Sequence, residues 1–234
     1  MAFLSSDALT LHGGCLCTAI RYTICIPPVE LRPLAPNAAP TPVTGRSGSI
    51  EQTPTKFPLI ELDHCTSCRL AAGSIIQSWI VCPKSWVTWR LISRVESEEH
   101  NKTVQKPKDK DYQSFTTLEI ANPSAELCKS TYLSHFMSST DVHRCFCGRC
   151  GTSLTYCYTG PKPGWSLPER NFDVALGTLD KEYLETDGIR PDRHGWWNDG
   201  VKWVKNLLRD GDMIDGTRLI RHPTGAIQTT IRED

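Results

Sequence analysis

Apolar and polar residues alternate through "AIRYTICI" (19–26), and the run is rich in branched and aromatic side chains. That period of two reads as a half-buried β-strand. "SIIQSWIVC" (74–82) and "WVTWRLI" (86–92) repeat the signal, separated by Pro83-Lys84-Ser85, and "TSLTYCY" (152–158) and "FDVALGTL" (172–179) extend it. Many short strands divided by turn residues predict an all-β domain of antiparallel sheets. Two stretches switch to helical spacing. "EYLETDGI" and "VKWVKNLL" each predict a short helix, and Val201, Trp203, Val204, Leu207 and Leu208 of the second form a stripe expected to pack into the core.

Two segments interrupt the pattern. Residues 27–58 carry eight prolines and few apolar residues, and residues 93–113 are densely charged. Both read as long excursions inserted into a single domain spanning 1–234. No repeat of solenoid length is present.

Composition narrows the classes. The 234 residues include 26 basic and 26 acidic side chains, so the formal net charge is zero. That balance offers no electrostatic case for nucleic acid or an anionic membrane as a partner. No apolar run approaches the roughly 18 residues of a membrane helix. The opening "MAFLSSDALTLHGG" has neither a basic n-region nor an apolar h-region, so a cytoplasmic location is expected. In a reducing compartment, eleven cysteines point to metal ligands, reactive thiols or buried thiols, and their odd number argues against a complete disulfide framework.

Six of these cysteines form close pairs: Cys15/Cys17, Cys65/Cys68 and Cys147/Cys150. Cys147-Gly-Arg-Cys150 followed by Gly151 is a zinc half-site, because glycine lets the chain turn back so that two thiolates reach one ion. Cys15 and Cys17 lie between glycines and a strand, and on an extended strand both thiols point the same way. These two pairs are expected to close one structural zinc site. In "DHCTSC", Asp63 shares a side with Cys65 if the segment is extended, while His64 points away. Asp63, Cys65 and Cys68 then supply three ligands and leave a fourth position open, the pattern of a catalytic zinc. A redox Cys-x2-Cys is the competing reading; it requires a helix N-terminus after a strand.

"GGCLCTAIRY", "DHCTSCRLAAGS", "RCFCGRCGTSL", "FDVALGTLD" and "RPDRHGWW" followed by "VKWV" together resemble the glutathione-dependent formaldehyde-activating enzyme family, whose domain is shared with centromere protein V. The resemblance runs from about residue 13 to residue 204, apart from the two excursions. It implies an Mss4-like β-tent, a structural zinc on Cys15, Cys17, Cys147 and Cys150, and a second, catalytic zinc at the central motif. In that family the central motif usually reads Cys-His-Cys-x2-Cys; here Asp63 replaces its first cysteine. The resemblance further implies carbon–sulfur lyase chemistry, adding glutathione's thiol to a small aldehyde or reversing the addition.

Such chemistry needs a thiolate, an activated carbonyl and a proton donor. His194, close before Trp196 and Trp197 and at a position matching the family, is the first candidate donor. An unligated Asp63 is the second, with Asp173 and Tyr156 behind them. Arg69 is a candidate for holding a substrate carboxylate, and Trp196 and Trp197 for lining a pocket. Long loops on a rigid frame shape pockets, so the expected partner is a small molecule larger than formaldehyde, such as a glutathione or cysteine conjugate. Two alternatives stay open: a zinc lyase or hydrolase acting on a carbonyl or imine without a thiol, and a non-catalytic zinc-stabilised binding module.

Overall fold

The computed structural model describes residues 4–36, 38, 40–44, 50–94, 107–161, 171–211, 213–214 and 217–218. In chain order the strands and helices are β1 (Leu9–Gly14), β2 (Ile20–Ile26), β3 (Thr41–Thr44), β4 (Ile50–Thr53), β5 (Leu59–Asp63), α1 (Thr66–Ala72), β6 (Gln77–Pro83) and β7 (Val87–Ile92). Then come β8 (Tyr112–Thr116), α2 (Thr117–Ala121), α3 (Ala125–Ser130), β9 (Leu133–Ser139), β10 (Val142–Cys147), β11 (Ser153–Tyr158) and β12 (Asn171–Ala175). The chain continues through α4 (Lys181–Leu184), β13 (Arg193–Gly195), α5 (Lys202–Asp210), β14 (Met213–Ile214) and β15 (Thr217–Arg218).

Two sheets dominate, so the fold is mostly β with short helices, as the alternation requires. One is antiparallel, in the order β1-β2-β7-β8. The other has seven strands in the order β13-β5-β6-β12-β11-β10-β9, antiparallel except where β13 runs parallel to β5. The core lies between them. Leu11, Ile20, Tyr22, Ile24, Trp89 and Leu91 from the first sheet meet Ile60, Ile80, Cys82, Phe172 and Val174 from the second. Trp89 crosses the gap, with its ring 6.0 Å from Phe172 and 5.1 Å from Tyr22. Its indole N–H donates to Thr117 at 3.1 Å, which satisfies the one polar group it buries.

β6 is buried along almost its whole length because both of its faces are covered. Ile80 and Cys82 face the main core, whereas Trp79 and Val81 face a smaller cluster with Ala35, Phe57 and Cys68. The residues that cover this second face come partly from the 27–58 excursion. That segment therefore differs from the long loop expected of it. It contains the β3–β4 hairpin, and it buries Ala35 and Phe57 against the sheet. The charged 93–113 segment also ends in structure: Tyr112 opens β8, the edge strand of the smaller sheet; its residues 95–106 lie outside the described residues.

Three further expectations need correction. Cys15 and Cys17 sit in the turn between β1 and β2, not on an extended strand, and Thr18 there has a positive φ of 60°. The "FDVALGTL" strand stops at Ala175 and tightens into a 3-10 turn over Leu176–Thr178. The apolar stripe of α5 is not core: Val204 is buried, but Trp203 is 58% exposed and Leu208 is 40% exposed. Helical spacing identifies a common face but cannot say what covers it. Among the described residues no helix is long and apolar enough to cross a membrane.

Trp89 joins both sheets and carries a buried hydrogen bond, so Trp89→Ala should destabilise the fold by about 3–5 kcal/mol. Urea unfolding measures this as a lower midpoint with an unchanged slope.

Candidate metal centres and cavity

The first cluster joins the two sheets. The β1–β2 turn contributes Cys15 and Cys17, and the end of β10 with the turn after it contributes Cys147 and Cys150; their four sulfurs lie within 4.8 Å of one another. Cys15 Sγ is 3.6 Å from Cys17 Sγ, and Cys17 Sγ is 3.7 Å from Cys147 Sγ. Backbone bonds shape both halves. Cys15 N–H donates to Ile20 O at 2.9 Å and Thr18 N–H to Cys15 O at 2.9 Å. On the other side Gly151 N–H donates to Cys147 O at 2.8 Å, with Gly151 at φ 76°, a conformation that suits glycine. Ile20 N–H points at Cys15 Sγ from 3.3 Å. Four sulfurs this close cannot share protons equally. The hydrogen bond with Cys15 lowers Cys147 to about 5; the same bond, and then burial, raises Cys15, and burial raises Cys17 to about 11.

The second cluster sits at the junction of β5 and α1. An Asp63 carboxylate oxygen and the sulfurs of Cys65 and Cys68 lie within 4.8 Å of one another. Asp63 ends β5, Cys65 immediately precedes α1, and Cys68 lies in its first turn. The helix then stops at Gly73, whose φ of 62° closes a left-handed cap. Asp63 is buried, yet its charge is met twice. Oδ1 accepts from Cys65 N–H at 2.8 Å and Oδ2 from Trp79 Nε1–H at 2.9 Å. These bonds fix the carboxylate on the side of the two sulfurs. Burial and the Asp63 charge both push the Cys68 thiol up, against the nearby guanidinium of Arg144, whose Nη2 donates to Cys68 Sγ at 3.3 Å. The strand–cysteine–helix order that a redox pair requires is thus present locally, although the neighbouring strands are mainly antiparallel. Cys65 and Cys68 are not joined in a disulfide.

This second cluster opens onto a cavity of about 570 Å³. Its floor is the outer face of the seven-stranded sheet. Period two places Glu61 and Asp63 of β5, Trp79 and Val81 of β6, Asp173 of β12, Tyr156 of β11 and Arg144 of β10 on that face. Pro36 and Ala38 of the first excursion form part of the wall. Burial, reinforced by Asp63, raises Glu61 to about 7, and burial with Glu61 and Asp63 raises Asp173 well above the usual carboxylate range. Burial also raises Tyr156 to about 12.

The candidates from sequence divide sharply. Cys65, Cys68, Asp63, Tyr156, Asp173 and Trp196 all border the cavity. Arg69 lies on α1 and is not among the lining residues. His194 is exposed and pairs across from Leu62, on the sheet face opposite Glu61 and Asp63. There its Nδ1 lies 3.1 Å from His64 Nε2, and the Trp197 ring packs 4.8 Å from His194 and 5.1 Å from His64. The parallel pairing of β13 with β5 sends Arg193, not His194, to the cavity side. Sequence reasoning passed over Glu61 and Arg144. Both had a signal: Glu61 precedes Asp63 by one strand period, and Arg144 is a lone charge inside the cysteine-rich strand "VHRCFC".

The wild-type chain should bind two metal equivalents. Cys65→Ser should lose one with the fold retained, whereas Cys147→Ser should lose the other together with cooperative unfolding; elemental analysis beside thermal melting measures both. Asp63→Ala should also cost about 1–3 kcal/mol by leaving the Trp79 and Cys65 donors without their acceptor, read from urea midpoints. No protein-family model and no curated protein matches this chain.

Proposed function

We propose that this chain is a zinc-dependent enzyme that makes or breaks a carbon–sulfur bond in a thiol adduct of a small carbonyl metabolite. One observation carries the reading: a three-donor cluster, one carboxylate and two sulfurs, opens directly onto a substrate-sized cavity, while the four-sulfur cluster is largely buried. A closed set of four ligands and an open set of three is how structural and catalytic zinc sites differ. The donors fit the ion. Sulfurs around tetrahedral zinc at about 2.3 Å stand about 3.8 Å apart, close to the 3.6 and 3.7 Å found in the first cluster. In the second, the ionised triad carries three negative charges, which a divalent ion and the adjacent Arg144 guanidinium balance. The resemblance to the formaldehyde-activating family supports the same reading, and the two hydrogen bonds that hold Asp63 in place favour it as a ligand over a free base.

A bound zinc would supply Lewis acidity at the open position, lowering a thiol's pKa or polarising a carbonyl. The chain's own residues supply the rest. Trp79 holds Asp63 in register, and Leu59, Val81 and Trp79 give the cavity an apolar wall that limits water. Asp173 is the proposed proton carrier. It faces the cavity beside Tyr156, and burial among other carboxylic groups favours its protonated form. In the addition, the thiolate sulfur bonds to the carbonyl carbon, the C=O π pair moves to oxygen, and the oxygen takes the Asp173 proton. In reverse, the Asp173 carboxylate takes the hydroxyl proton as the C–S bond breaks and the thiolate leaves. The 27–58 excursion, which supplies part of the wall, supports a substrate larger than formaldehyde.

The test uses zinc-loaded protein, glutathione and a panel of small aldehydes, with adduct formation and decay followed by exchange NMR. The expected result is thiol-dependent turnover that falls about 10²–10⁴-fold in Asp173→Asn with the metal content unchanged. Aldehyde turnover without thiol would select the thiol-free zinc chemistry. A single zinc lost only on unfolding would select a binding module. A Cys65–Cys68 disulfide formed under mild oxidant, with neither cysteine holding metal, would select the redox pair.

A further inference from the structure

Arg144 is the most unusual group in the cavity. It is only 4% exposed, and it projects from the middle of β10 onto the cavity floor. A buried guanidinium ordinarily has a carboxylate partner. Among the described residues, no carboxylate lies within ion-pair distance of this one. It is nevertheless held firmly. Nε donates to Ser138 Oγ at 2.9 Å, Nη2 donates to Cys68 Sγ at 3.3 Å, and the guanidinium lies 5.0 Å over the Tyr156 ring. Among the described residues Nη1 makes no hydrogen bond. The result is a rigid fork with donors left over, beside a sulfur of the three-donor cluster.

We infer that Arg144 reads a carboxylate on the substrate, and that the reacting thiol or carbonyl is separated from that carboxylate by only a few covalent bonds. This rests on the proposed function and names its substrate class: thiol acids or oxo acids, or adducts between them. Three features lead there. The fork is planar and pre-oriented, which matches a carboxylate's two oxygens. It stands one hydrogen bond from Cys68, so a ligand atom bound beside that sulfur has the fork within short reach. The same floor carries the Asp63 carboxylate, which would repel a phosphate dianion more strongly than a monoanionic carboxylate. Arg69, the candidate for this task from sequence, is on α1 and is not among the residues lining the cavity.

The experiment uses cobalt-substituted protein, in which sulfur-to-cobalt absorption reports thiols binding at the open position. The probes are 3-mercaptopropionate and its neutral amide, 3-mercaptopropionamide. Wild type should bind the acid about ten- to a hundredfold more tightly than the amide, the range of a charge-assisted hydrogen bond. In Arg144→Gln that ratio should fall toward one, while Arg69→Gln should keep it. Both probes meet the same variant, so a general weakening of the site cancels in the ratio. Should Arg144→Gln fail to fold, Ser138→Ala, which frees only the fork's anchor, should lower the ratio several-fold. Equal binding of acid and amide by wild type overturns the inference, as does a preference that survives Arg144→Gln; in either case thiol binding still supports the metal site. If neither probe alters the absorption, the proposed function itself fails and the inference falls with it.

Discussion

The seven-stranded sheet must satisfy opposite demands on its two faces, and the strand period of two is what makes this workable. One face presses Ile60, Ile80, Cys82, Phe172 and Val174 onto the smaller sheet. The alternate positions of the same strands carry Glu61, Asp63, Trp79, Asp173 and, further along, Tyr156 and Arg144. A slip of one residue in any of these strands would bury carboxylates in the core and expose the core to the cavity. The apolar face therefore sets the register that assembles the polar one. The strand-borne side chains of the site are held because the core already holds their strands, and Cys65 and Cys68 follow at the start of α1.

Asp63 shows how a buried carboxylate is satisfied on such a face. Its carboxylate is desolvated, but a backbone N–H from Cys65 and an indole N–H from Trp79 replace the lost water. Both partners also belong to the site's own architecture. The Cys65 bond shapes the approach to α1, and Trp79 is part of the second apolar cluster. Glu61 and Asp173 are less well compensated, and their raised pKa values follow from it. The cavity thus holds one carboxylate anchored by two hydrogen bonds and two whose pKa values burial raises.

The excursion at 27–58 shows how composition misleads. Its prolines rule out regular core strands, and that much is correct. They do not prevent the segment from packing: Ala35 and Phe57 are buried, and Pro36 and Ala38 face the cavity. Proline-rich chain that is already extended gives up little conformational freedom on docking against a sheet. The α5 stripe errs the other way, since its spacing is helical but Trp203 and Leu208 face outward.

By itself the sequence determined the β class, the strands β2, β6, β7, β11 and β12, and which cysteines pair in close spacing. These are local matters: period-two alternation, glycine punctuation and the reach of neighbouring thiols. It also determined that Asp63 and Cys65 share a side, because both are read from one short extended stretch. Only the tertiary structure decided what surrounds that stretch. Arg144 lies 76 residues from the sulfur it touches, and no local pattern links them. The choice of Arg193 over His194 depends on the parallel pairing of β13 with β5, a contact between distant parts of the chain that continues in the His64 N–H bond to Gly195 O at 3.0 Å. Side-chain chemistry is written in the chain, but which face a distant residue presents is settled by how the strands pair, and pairing is a property of the whole sheet.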